Sequence, residues 1–151
     1  MIIIDSVRQP KPHTTAQALA KILRSAPPKE IDIAAAYITA SGLKVLLQVF
    51  KENLDEKGHK AKIRWLTSFD YCRTEPIALE KIMSLAGSSV RIHDSKFCLS
   101  RSCTPRIPFH PKTFFLRNAQ YDYMLSGSGN ISRSGLTCGY EAGLSLGIDR
   151  K

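Results

Sequence analysis

Between residues 15 and 93 the chain alternates two periodicities, and this alternation constrains its fold more than any other feature. Leu19, Ile22, Leu23 and Ala26 recur at helical spacing behind Thr14-Thr15-Ala16-Gln17, a capping-box pattern, and Pro27-Pro28 stops the run. Residues 31–39, IDIAAAYIT, form a nearly continuous apolar and β-branched stretch, which predicts a strand covered on both faces. Ser41 is placed to cap a second helix whose stripe is Leu43, Leu46, Leu47, Phe50 and Leu54, ending near Lys57-Gly58. Residues 62–69 read as a strand. Pro76 suits the first turn of a third helix, with Leu79, Ile82, Met83 and Ala86 on one side and Gly87 as its left-handed stop, and residues 90–93 form a short strand after it. A β-α-β-α-β order with short connections predicts an α/β fold, a mixed but largely parallel sheet flanked by helices.

The second half reads differently. Residues 95–108 are expected to be a basic loop carrying Lys96, Arg101 and Arg106, with prolines at 105 and 108. Residues 109–118 and 121–128 look like the paired strands of a hairpin, and 140–149 like a last strand. The 151 residues suit a single domain, 1–151, and the ending directly after a strand is what a domain excised from a longer protein would show. With 43% apolar and 23% charged residues and a mean hydropathy of -0.15, the composition is that of a folded soluble protein. Its apolar stretches fall far short of the roughly 20 residues that span a bilayer. The opening Met-Ile-Ile-Ile-Asp has neither a basic leader nor a small-residue cleavage site, so no signal peptide and a cytoplasmic location are expected. In that setting Cys72, Cys98, Cys103 and Cys138, which form no C-x-x-C pair, are expected to be reduced thiols. His93, Cys98 and Cys103 stand at x4 spacings on the edge of zinc-ligand patterns, and no metal is expected.

Twenty-two Lys and Arg against thirteen Asp and Glu leave a formal charge of +9, spread along the chain. So large an excess on so small a domain favours a polyanionic partner, a nucleic acid before a lipid headgroup surface, and no stable membrane association.

The chemistry lies in residues 109–146. If 109–118 is a strand, His110 and Lys112 project from one face about 7 Å apart. A turn at Ala119-Gln120 would place residues whose numbers sum to about 239 opposite one another. Gly129 then lies beside His110, Gly127 beside Lys112, and Asn130 emerges next to the histidine. An imidazole, an ammonium and a carboxamide converging over glycines make a site shaped for a phosphoryl group. His110 can serve as nucleophile or proton donor, Lys112 and Asn130 can bind non-bridging oxygens, and the Ser128 hydroxyl and the backbone at Gly129 can add donors. Glu141 could accept from the second nitrogen of His110 and fix its tautomer. Nothing in this set requires a metal or another cofactor. Singly these residues are commonplace: a strand-end histidine, a glycine turn, a solvated glutamate. Their order on facing strands makes them a site.

On these residues the sequence resembles the phospholipase D superfamily, whose signature is H-x-K followed downstream by G-S/G-x-N: here His110-Pro111-Lys112 and Gly127-Ser128-Gly129-Asn130, with Arg133-Ser134 and Glu141-Ala142-Gly143 as the continuation. An Asn 20 residues after the His and a Glu 11 residues after that Asn look most like the superfamily's metal-independent nucleases and restriction endonucleases. One position departs: the common signature has Asp five residues after the Lys, where this chain has Arg117.

The resemblance implies two such motifs in one active site. His13, His59 and His93 lack a following x-Lys, so a second copy of the chain would supply the other motif in a homodimer sharing one site. It further implies double displacement through a phosphohistidine; the charge points to a nucleic-acid substrate, DNA expected before RNA, with Lys96, Arg101 and Arg106 of the basic loop holding flanking phosphates. Two other readings exist: a phospholipid phosphodiesterase or phosphatidyl transferase, and a non-catalytic DNA-binding module of a helicase or restriction assembly. Binding alone would not need an imidazole backed by a carboxylate.

Overall fold

The computed structural model describes residues 2–5, 14–139 and 141–150. Seven strands form one sheet in the order β1-β7-β6-β5-β2-β3-β4. The strands are β1 (Ile2–Asp5), β2 (Glu30–Ala35), β3 (Lys62–Ser68), β4 (Ser88–His93), β5 (Lys112–Arg117), β6 (Tyr121–Gly127) and β7 (Ala142–Asp149). The helices are α1 (Thr15–Ser25), α2 (Ala40–Asn53), α3 (Pro76–Met83), α4 (Ser95–Ser100) and α5 (Arg133–Thr137). The predicted start of the last strand at Tyr140 lies outside the described residues, as does His13.

Local chemistry sets the helix ends. The Thr14 hydroxyl accepts from the Gln17 N–H while the Gln17 side chain accepts from the Thr14 N–H, the reciprocal cap read from the sequence. The cap of α2 is Thr39, not Ser41: Thr39 Oγ1 accepts from Gly42 N at 3.1 Å, and Ser41 lies inside the first turn. The strand before it is correspondingly shorter than predicted and ends at Ala35. Pro76 opens α3, but the helix ends at Met83, before Ala86, with Ser84 as its C-cap; Gly87, at a left-handed φ of 74°, forms the turn into β4 instead of stopping the helix. The basic segment after β4 is not wholly a loop, because residues Ser95–Ser100 close a short helix.

Pairing is parallel across β2-β3-β4, as the helix-strand alternation predicts, and antiparallel at the other four junctions. The sheet is therefore mixed, with its parallel part confined to the first half of the chain. Ile31, Ile33 and Ala35 of β2, Phe114 and Leu116 of β5 and Leu125 of β6 are buried with Leu19 and Leu23 of α1 and Leu43 and Leu46 of α2. Each of the Ile, Leu and Phe side chains contributes about 1.5–3 kcal/mol of burial. The prediction that β2 is covered on both faces is corrected: its burial alternates, and on the second face Leu66 and Phe115 remain 39% and 44% exposed. Asp32, standing between Ile31 and Ile33, marks that face as partly wet. There it pairs with Arg64 through two bonds of 2.6 and 2.7 Å and with Arg117.

The cysteines also depart from expectation. Cys72 and Cys103 form a disulfide, and only Cys98 and Cys138 are free. The bridge joins the turn after β3 to the segment before β5, a juxtaposition that the tertiary fold creates across 31 residues. It sits at odds with the reducing compartment expected from the sequence. No helix among the described residues is long and apolar enough to cross a membrane.

Candidate active site

The motif residues gather at the carboxyl ends of the parallel strands, the edge at which open α/β sheets place their ligands. β5 runs antiparallel to β2, pairing Ala35 with Lys112, so the start of β5 meets the end of β2. The β5–β6 register is the one predicted, with Thr113 opposite Ser126 and Phe114 opposite Leu125. The ladder stops there, however. Pro111 has no N–H to donate, and its carbonyl accepts from Ala36 N at 2.8 Å. His110 therefore precedes the strand instead of lying on it, and Gly127 pairs with Gly143 of β7 instead of Lys112.

Lys112 is buried on the same side as Phe114 and Leu116, with its aliphatic stem in the core and its head turned back toward His110. Its Nζ lies 2.7 Å from His110 Nδ1, 3.4 Å from Nε2 and 2.9 Å from the His110 carbonyl. A charged Lys112 can donate only to a ring nitrogen that carries no proton, the nitrogen whose lone pair a nucleophile needs. Burial pushes the Lys112 pKa below the ordinary lysine value, and the nearby Glu141 carboxylate opposes that shift.

Glu141 is held by the Ser128 hydroxyl, which donates to Oε2. Ser128 Oγ also accepts from Ala142 N at 3.0 Å, and Ser128 N donates to Ala142 O at 2.9 Å. Gly129 has to be glycine here, since a Cβ would stand 2.5 Å from Gly135 O and 3.3 Å from Glu141 Cδ. Asn130 is buried, and its Oδ1 accepts from Tyr37 N at 3.3 Å, which turns its NH₂ end away from the Tyr37 backbone. The loop after Asn130 is pinned by the Ile38–Ile131 bridge and by the bond from Thr39 N to Ile131 O, 2.9 Å. The structure thus joins His110 to Lys112 and Ser128 to Glu141 directly, and seats Asn130 on the β2–α2 turn.

Of the predicted phosphate-binding cations, Lys96 is exposed on α4 and Arg101 follows it, its guanidinium 5.9 Å from the Phe97 ring centroid. Arg106 is largely engaged elsewhere: it makes bonds of 2.8–3.0 Å to Asp94 and lies 4.5 Å above Phe97. Arg117, at the position of the departure, stands at the far end of β5, about 16 Å along the strand from Lys112. There it pairs with Asp32 and Glu30. Among the described residues no three His, Cys, Asp or Glu are grouped to hold a metal, and Cys103 is bonded to Cys72.

Three residues near the site escaped the sequence analysis. Tyr37 supplies the N–H that orients Asn130. Phe109 stacks on His93 with centroids 5.1 Å apart. Asp70 accepts from Phe109 N. The available signal was positional: Tyr37 and Asp70 follow the carboxyl ends of parallel strands.

No family model and no curated protein matches the chain. Its structure is similar to the crystal structure of Nuc, a phospholipase D family member from Salmonella typhimurium, with a TM-score of 0.51, 16% identity, and coverage of 85% of this chain and 72% of that one. At this identity the likeness speaks for architecture alone, and it shows that the chain has a phospholipase D-like fold.

Proposed function

We propose that this chain is a metal-independent phosphodiesterase, an endonuclease acting on DNA through a phosphohistidine intermediate in a site shared by two copies of the chain. The observation that carries the reading is the contact of the buried Lys112 ammonium with His110, 2.7 Å, beside the Ser128–Glu141 pair. Such a group is poised to hand its donors to a phosphate oxygen and to stabilise the charge that builds there. The likeness of fold supports the reading, as does the charge of +9.

In the first step one His110 imidazole nitrogen bonds to phosphorus as the bond from phosphorus to the leaving oxygen breaks. The partner's His110 gives that oxygen its proton. In the second step the partner's His110, now neutral, takes a proton from water, the hydroxide attacks phosphorus, and the P–N bond breaks to release a phosphomonoester. Lys112 and Asn130 hold the non-bridging oxygens, and Glu141 orients the cluster. One imidazole cannot be both bonded to phosphorus and free to protonate the leaving group, so the second copy is a chemical requirement of this scheme.

A phospholipid substrate is the second reading, favoured by Leu99 and Ile107, 60% and 75% exposed beside Arg101 and Arg106. Incubating the protein in EDTA with plasmid, single-stranded DNA, RNA, phosphatidylcholine vesicles and bis-p-nitrophenyl phosphate separates the two. Cleavage of plasmid or single-stranded DNA that His110→Ala abolishes is expected. Activity confined to vesicles overturns the nuclease reading, and activity that returns only with Mg²⁺ overturns the metal-independent chemistry.

A further inference from the structure

The connection from β4 to β5, residues 94–111, carries His110 near its end, and the structure pins the backbone of both residues that neighbour this histidine. On the carboxyl side, the Pro111 carbonyl accepts from Ala36 N at 2.8 Å. On the amino side, Phe109 N donates to Asp70 Oδ2 at 2.7 Å. The two pins meet behind the site: Ser68 Oγ donates to the Ala36 carbonyl at 3.0 Å and accepts from Asp70 N at 3.2 Å. A closed path of hydrogen bonds therefore runs from Phe109 through Asp70, Ser68 and Ala36 to Pro111, with His110 between its ends.

Asp70 is the costly member of this path. It is 7% exposed, and its carboxylate has no Lys or Arg partner among the described residues. What it has is the Phe109 N–H and the Cys98 thiol, 3.9 Å from Oδ1. Burying a carboxylate costs several kcal/mol unless strong hydrogen bonds offset it. A threonine or backbone acceptor could take a lone N–H more cheaply. The turn that carries Asp70 is also fastened to the same segment by the Cys72–Cys103 bridge and by Tyr71 N to Cys103 O, 2.6 Å. Tyr71, Cys72, Ser102 and Cys103 all hold positive φ between 49° and 63°, strain that persists only where the surroundings over-determine the backbone.

We infer that Asp70 is a positioning residue for His110: its carboxylate fixes the N–H of Phe109, the residue before the histidine, and so sets where the imidazole stands relative to Lys112 and the reacting phosphorus. This rests on the reading of His110 as the residue that bonds to phosphorus. A misplacement of about 1 Å at a reacting group costs on the order of 10²-fold in rate, which is the lever Asp70 controls.

The test compares wild type, Asp70→Ala and Asp70→Asn, with Asn53→Ala as a control that removes a buried polar side chain remote from the site. Two quantities are read: kcat and KM on bis-p-nitrophenyl phosphate in EDTA, and the rate at which diethyl pyrocarbonate acylates His110 against His59, by peptide mass spectrometry. Urea titration identifies the variants that fold. Asp70→Ala should lose about 10²-fold in kcat with KM little changed, and its His110 acylation rate should shift several-fold while that of His59 does not. Asp70→Asn keeps an oxygen for the Phe109 N–H and should recover most of both quantities. Asn53→Ala should lose stability only. A folded Asp70→Ala that keeps kcat and His110 reactivity within twofold of wild type overturns the inference. If Asp70→Ala fails to fold, the same near-identity in Asp70→Asn with its Phe109 amide exchange unprotected overturns it too. If no protein cleaves anything but His110 reactivity follows Asp70, the catalytic reading has failed and the positioning role stands.

Discussion

Lys112→Met is the most telling single change, because it should move activity and stability in opposite directions. Methionine matches the unbranched stem that packs beside Phe114 and Leu116, so the perturbation is the loss of the ammonium and its bonds to His110. One preorganised donor to a transition-state oxygen is worth about 10²–10³ in kcat, and the proposed site shared by two chains would lose two of them, so turnover should fall on the order of 10⁴-fold or more. DNA affinity, spread over many cations, should change little. Stability should rise, because burial disfavours the charged lysine. The sign follows from linkage: the folded-state pKa lies below the unfolded one, so between the two values the unfolded chain binds more protons and wild type gains stability as pH rises. The advantage of Lys112→Met should thus be largest near neutrality and shrink as pH climbs toward the ordinary lysine value. The assay is kcat on bis-p-nitrophenyl phosphate in EDTA, Kd for a labelled oligonucleotide, and urea midpoints at several pH values. A variant that binds DNA much more weakly but turns over normally once saturated would refute the role given to Lys112. One that is less stable than wild type at neutral pH would refute the energetics.

The two flanking arginines should separate. Arg101→Ala should weaken DNA binding and lower its salt slope by about 1, whereas Arg106→Ala, whose charge is already paired with Asp94, should lower it less; binding titrations across salt concentrations read this. Reducing the Cys72–Cys103 bridge, which closes a loop of 31 residues in separation, should cost about 3–4 kcal/mol, measured by urea unfolding with and without a dithiol reductant. Asp32→Asn should cost about 1 kcal/mol near neutrality and leave kcat unchanged. The Arg64 hydrogen bonds, with Arg117 beside them, lower the Asp32 pKa, so its contribution is present above the ordinary carboxylate value and is lost as pH falls through the folded one. Unfolding curves for both proteins should therefore converge in acid.

Much of the fold was legible because its signals are local. The Thr14 cap, the stripes of α1 and α2 and Pro76 at the start of α3 each depend on residues within a few positions. The β5–β6 register followed from a two-residue turn. What failed depends on partners distant in sequence. Thr39 displaced Ser41 as the α2 cap once β2 ended early. The Cys72–Cys103 pairing arises only after β3, β4 and β5 bring their connections together. His110 left the strand because Pro111, a residue without an N–H, ends the ladder toward β6. In the site the residue types were readable and the contacts only in part: H-x-K did predict His110 beside Lys112, but nothing near Glu141 announced Ser128 as the hydroxyl that holds it.

The central claim is that His110 itself bonds to phosphorus without a metal, and a trapped adduct tests it most directly. Wild-type protein in excess EDTA is mixed with bis-p-nitrophenyl phosphate, quenched within the first turnover by an alkaline denaturant that preserves P–N bonds, and digested for peptide mass spectrometry. The account predicts a p-nitrophenyl phosphoryl group on His110, absent from His59 and His93 and absent from Lys112→Met at the same time point. Turnover in EDTA with no adduct on His110 under conditions that preserve a synthetic phosphohistidine standard, or an adduct on a different residue, would contradict it.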